Sequence, residues 1–152
     1  MAKKTKKGTK TFQGRAITPG ECTAEAVVSH GGFNTLASMQ MMSIQTKTKC
    51  VDQNNPDLYK KILQGKALCL PQTIGSTTGG MVFYAAGALG KLPAFMCFSK
   101  PIDSLAAAGV IMADVWTDNH MPVVDSLGDD FLETVKTGDM LTLSEDGTVT
   151  VE

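Results

Sequence analysis

The sequence predicts a β-rich α/β domain, and three observations carry that expectation. Short runs of strand-forming residues, bounded by Gly, Pro and Asn, outnumber helix-like runs. Between residues 66 and 98 the order is strand, glycine-rich turn, helix, strand, which is the pattern of a βαβ unit with parallel pairing. The chain of 152 residues is 43% hydrophobic and 19% charged, a composition that suits one domain with a substantial core.

The elements follow in order. Residues 11–18 (TFQGRAIT) and 23–29 (TAEAVVS) read as strands, joined at Pro19-Gly20 into a hairpin. His30-Gly31-Gly32 ends the second. Residues 33–44 (FNTLASMQMMSI) read as a helix with Leu36, Met39 and Ile44 on one face and methionine as core filler. Residues 45–58 form a polar loop, with Asn55 before Pro56 as a turn signal. KALCL (66–70) is a buried strand. Residues 78–89 form a helix closed by Gly90, and PAFMCF (93–98) is a second buried strand. Residues 101–109 read as a short helix or turn, VIMADVW (110–116) as a strand and MPVVDSL (121–127) as another. Residues 128–139 make a short helix with acids early and Lys136 late, as the helix dipole favours. MLTLSEDGTVTVE (140–152) is a hairpin turning at Asp146-Gly147. No internal repeat is visible.

Charge divides the chain. The first ten residues, MAKKTKKGTK, hold five lysines and no acid, while the net charge is −1, so the remainder is acidic. Residues 1–10 therefore read as a disordered, solvated tail on a single domain spanning 11–152. No aromatic is interleaved with the lysines, which argues against nucleic acid as a partner. The tail has no apolar core of a secretory signal, and no window approaches the ~18 apolar residues of a membrane span. The expectation is a cytoplasmic protein. Four cysteines lack any Cys-x-x-Cys pairing and only two histidines exist, so the sequence predicts no metal site within the chain. Cys69 and Cys97 lie in apolar runs and read as buried small hydrophobes.

The segment "LPQTIGSTTGGMVFY" (70–84) is where the residues leave chemistry and a plain helix cap both open. Gly75-Ser76-Thr77-Thr78-Gly79-Gly80 packs three glycines and three hydroxyls at the mouth of a helix. Phosphate binding is one reading, but the Gly-Lys-Ser/Thr ending of a Walker loop is missing. A serine nucleophile is a second, but Gly-x-Ser-x-Gly is not matched and no histidine partner is evident. The third is a cradle for an oxyanion or carboxylate, with one hydroxyl acting as a base beside the helix N-terminus. A Ser or Thr helix cap accounts for part of the pattern, yet three glycines and three hydroxyls exceed what a cap requires.

The stretches "GKALCLPQTIGSTTGG", "LGKLPAFMCFSKPIDSLAAAG" and "MPVVDSL", with the earlier "GRAITPGECTAEAVVS", resemble the small subunit of aconitase X-type dehydratases. The resemblance covers most of the chain and leaves out the lysine tail. It implies an aconitase-like swivelling β/β/α domain with a barrel-like sheet and a few short helices. It implies that Ser76 is the catalytic base, removing a proton next to a carboxylate. Gly75, Thr77, Thr78, Gly79 and Gly80 then form the substrate-binding turn, with Asn34 of the "HGGFN" loop beside it. An iron or iron–sulfur centre is implied in a large partner subunit. Thr77 stands where some relatives carry cysteine, so no cluster ligand is implied here. The implied activity is dehydration of a small hydroxy acid. The sequence favours cis-3-hydroxy-L-proline, because no basic cluster lies near Ser76. The alternatives are mevalonate 5-phosphate, or a stand-alone swivel domain with a binding or regulatory role.

Overall fold

The structure is a computed structural model that describes residues 8–40 and 46–152. The lysine-rich residues 1–7 and the methionine-rich end of the 33–44 segment lie outside the described residues.

Eight strands form one mixed sheet: β1 (Lys10–Gln13), β2 (Arg15–Thr18), β3 (Cys22–Val28), β5 (Ala67–Leu70), β7 (Phe95–Phe98), β8 (Val123–Asp125), β9 (Met140–Leu143) and β10 (Thr148–Val151). Their order is β1-β10-β9-β3-β5-β7-β8-β2. β1 and β2 are thus opposite edges of the sheet, yet only Gly14 separates them. The sheet must curl until its edges meet, and the result is nearly a barrel. Gly14 sits in the seam. Its N–H donates to the Gly147 carbonyl at 3.0 Å, and a Cβ there would lie 2.6 Å from the Asp125 carbonyl oxygen.

The expected hairpin between residues 11–18 and 23–29 does not form. β2 pairs antiparallel with β8, with Arg15 opposite Asp125. β3 pairs with β9 through Cys22–Glu25 and with β5 through Ala26–Val28. The neighbours of β3 in the sheet are therefore β9 and β5, while β2 lies at the far edge beside β8. The βαβ expectation fits: β5 and β7 run parallel, with Cys69 opposite Cys97, and β7 runs parallel to β8.

Among the described residues four helices complete the fold: α1 (Thr35–Ser38), α2 (Gly79–Ala88), α3 (Ser104–Trp116) and α4 (Asp129–Thr134). Over the described part of the helix expected at 33–44 stand a two-residue strand, β4 (Phe33–Asn34), and the single turn of α1; residues 41–44 lie outside the described residues. Asn34 starts that turn, its Oδ1 accepting from the Ala37 N–H at 3.1 Å. The strand expected over 110–116 is the body of α3. An unbroken apolar run reads equally as buried strand or buried helix. Here Asp103 decides, its carboxylate accepting the Ala106 N–H at 3.0 Å and so starting a helix at the preceding turn. Ala106, Gly109, Val110 and Ala113 then share the buried face.

The core lies on both faces of the sheet. On one, α2 and α3 cover Leu68, Leu70, Met96 and Phe98. On the other, Phe131 of α4 packs with Ala26, Cys97 and Val149, and its ring meets Phe12 edge-on at 5.4 Å. No described helix is long and apolar enough to cross a membrane.

Candidate active site

The carboxyl ends of parallel strands are where open α/β sheets place ligands, and the Gly-Ser turn lies at that end of β5. From Leu70 the chain passes Pro71 into β6 (Thr73–Ile74). β6 pairs in parallel with β4, so Asn34 sits opposite Ile74. This short two-stranded sheet brings the "HGGFN" segment against the turn. Gly75 follows at φ 96°, a left-handed conformation, and a Cβ on it would fall 2.6 Å from the Asn34 amide nitrogen. Only glycine fits there.

Ser76 is exposed. Its Oγ accepts the Thr78 N–H at 3.1 Å, and its carbonyl accepts the Gly79 N–H at 3.0 Å. Thr78 occupies the cap position of α2, but its side chain makes no capping bond. Among the described residues the N–H groups of Gly80 and Met81 have no acceptor. The positive end of α2 is therefore presented beside the Ser76 hydroxyl.

A cleft of about 180 Å³ opens there. Gly75, Ser76, Gly79 and Gly80 line it, and so do Thr35, Thr73, Asp103 and Leu105, with Phe83 as a buried floor. Of the residues expected at the site, Thr77, Thr78 and Asn34 do not line the cleft. Asn34 supports Gly75 from behind. Gly80 has a second duty: a Cβ on it would lie 2.8 Å from the Leu105 carbonyl, so α3 packs directly on it.

Thr73 and Asp103 were not singled out by sequence reasoning. The Thr73 hydroxyl donates to Asp103 Oδ1, while Oδ2 takes the Ala106 N–H. Both carboxylate oxygens are thus engaged, and the pair ties the strand before the turn to the start of α3. The signal was present in "PIDSLAAAG", where Asp precedes a helix-compatible run. Among the described residues no three His, Cys, Asp or Glu gather in a group that could hold a metal ion. The cleft offers one committed carboxylate, and Cys50, Cys69 and Cys97 are buried in the core. This donor set does not fit an iron centre.

Fold and cleft together define a small α/β domain that presents an open candidate site, with a serine at a helix mouth. The family model described as "Aconitase X swivel domain" matches residues 11–151. The chain is 31% identical over 137 residues to the phosphomevalonate dehydratase small subunit of Methanocella arvoryzae, covering 90% of this chain and 93% of that one. It is 27% identical to the protein of the same description from Archaeoglobus fulgidus, over 89% of this chain and 92% of that one. Among solved structures, holo-form aconitase X of Thermococcus kodakaraensis superposes with a TM-score of 0.79 at 25% identity, covering 94% of this chain and 98% of that chain. A UPF0107 protein solved by solution NMR gives 0.75 at 26% identity, covering 94% of this chain and 99% of that chain. The chain belongs to the aconitase X swivel domain family. It is a small subunit of a dehydratase, a hydro-lyase component.

Proposed function

We propose that this chain assembles with an aconitase X-type large subunit to dehydrate mevalonate 5-phosphate, and that Ser76 is the base. The observation that carries the substrate is the pair of curated relatives, both phosphomevalonate dehydratase small subunits, matched over about nine-tenths of the chain. The hydroxyproline substrate favoured by the sequence gives way to the alternative weighed beside it.

The chemistry asks the chain for three things. A serine hydroxyl is a weak acid, so its alkoxide needs stabilising. The Thr78 N–H already donates to Oγ, and a donor to the charged form lowers a pKa. The α2 N-terminus adds a fixed positive partial charge. The free N–H groups of Gly80 and Met81 suit a substrate carboxylate, which places the adjacent C–H toward Ser76. The phosphate needs cations, and no Lys or Arg lines the cleft. We assign the phosphate contacts, and the iron or iron–sulfur centre that assists loss of hydroxide, to the large subunit.

The test is an assay of the chain co-purified with its large subunit after iron loading. Mevalonate 5-phosphate should be consumed and cis-3-hydroxy-L-proline should not, while the lone chain is inactive. Turnover of the hydroxyproline alone sinks the substrate assignment.

A further inference from the structure

We propose that the outward face of the α2–α3 pair, running from the rim of the Ser76 cleft, is the surface on which the large subunit docks. This rests on the dehydratase reading above and adds the location and chemistry of the contact.

A single exposed apolar side chain is ordinary, but a helix that is apolar on every side is built to be covered. α3 (SLAAAGVIMADVW) is such a helix. Its inner face is in the core. Its outer face carries Leu105, Ile111, Val115 and Trp116, the last two 64% and 74% exposed. Asp114 is its one charged residue, and that carboxylate is engaged by His120. α2 (GGMVFYAAGA) holds no charge and exposes Met81. The two helices lie side by side, joined where Gly80 meets Gly109, so their outer faces are continuous. The other described helix of comparable exposure, α4, begins with Asp129 and Asp130 and shows the ordinary solvated pattern.

The cleft identifies the occupant. Leu105 is both a cleft wall and the first residue of the outer stripe, and Ile74 at the rim is half exposed. Whatever covers the stripe therefore also roofs the cleft. At about 180 Å³ the cleft is smaller than the ~300–1,000 Å³ of a complete ligand site, and its lining supplies neither a cation nor a set of metal donors. A second copy of the chain would bring the same cleft with the same missing cations and metal donors. The large subunit is the partner that completes it. Trp116 and Leu105 are the anchors, in keeping with the weight of buried aromatics in interfaces.

The experiment measures binding of the full-length chain to purified large subunit. Ile111→Asp combined with Val115→Asp should weaken it at least ~30-fold, the scale of losing a hot spot. The milder Trp116→Ala should weaken it about 10-fold. Circular dichroism and melting temperature of the lone variants should match wild type, because these side chains face solvent. Glu133→Lys on α4 is the control and should bind normally. Unchanged affinity in both apolar-face variants overturns the inference while leaving the dehydratase reading intact. So does a lone wild-type dimer that the double substitution dissolves without touching large-subunit affinity. A wild-type chain that binds no large subunit overturns the dehydratase reading itself, and this inference with it.

Discussion

Ser76 owes its position to backbone, not to side-chain neighbours. Gly75 at positive φ turns the chain, and the Thr78 and Gly79 N–H groups grip the serine's two oxygens. If Ser76 is the base proposed above, removing its hydroxyl removes chemistry more than structure. Ser76→Ala in the assembled enzyme should lower turnover ~10²–10⁴-fold, the usual contribution of a general base. The lost neutral hydrogen bond costs the fold only about 0.5–1.5 kcal/mol. Thr78→Ala should stay near wild type, because that side chain makes no capping bond and does not line the cleft. Steady-state rates beside melting curves for the two variants check this. Near-normal turnover in Ser76→Ala would leave the serine only its turn-forming part.

In the α2–α3 pair, a packing contact behind the cleft bears on the proposed reaction. A Cβ on Gly109 would stand 2.5 Å from the Gly80 carbonyl oxygen and 2.6 Å from its Cα. In a free helix Gly→Ala stabilises by about 1 kcal/mol. Here the obstacle is backbone, which cannot swing aside, and overpacking costs about 1–3 kcal/mol. Gly109→Ala should therefore lower the melting temperature. It should also lower kcat, because Gly80 sits at the start of the helix that orders the Ser76 turn. A variant with raised stability and unchanged kcat would contradict the close crossing. Elements of this kind divide what the sequence makes legible from what it hides. The buried strands 66–70 and 93–98, the helix closed by Gly90 and the hairpin at Asp146-Gly147 are punctuated locally, and the structure has them. The 110–116 run is not. Val, Ile and Trp favour a strand, and only the Asp103 cap and the small residues facing α2 make it helical. Pairing of β2 with β8 was hidden for another reason: partners more than a hundred residues apart leave no local mark. At the site, Ser76 and its glycines were legible as composition. Thr73 and Asp103 were not, since their bond joins two elements.

Two of the described titrating contacts fasten the molecule with opposite pH dependence. His120 directs Nδ1 to Asp114 and Nε2 to the Pro19 carbonyl, 2.7 Å away, linking α3 to the β2–β3 turn. Burial pulls its pKa down, but the bonds to Asp114 and Pro19 and the Asp114 charge outweigh it and hold it above 6.5. Its stabilising contribution is complete below the unfolded value and fades as pH rises through the folded one. Asp125 is fully buried and pairs with Arg15 through Nε at 3.0 Å and Nη2 at 2.6 Å. Burial raises its pKa, but the Arg15 and Ile102 N–H bonds and the Arg15 charge hold it below 3.8. Its contribution is present above that value and fades as pH falls through the folded pKa. Melting temperature against pH should thus decline on both sides. His120→Gln should flatten only the alkaline decline, and Asp125→Asn only the acid one. Identical profiles for wild type and both variants would remove these two groups as the cause. The remaining fastening is the seam at Gly14, where β1 meets β10 and β2 meets β8. It has a consequence for how the protein is made. Closing a loop of nearly the whole chain costs entropy before any contact repays it. As the ribosome delivers residues in order, β3, β5 and β7 emerge and can pair early, but β1 has no partner until residues 148–151 follow. The nascent domain must therefore wait with an open sheet edge, exposed to chaperones and to neighbouring chains, until its last strand arrives.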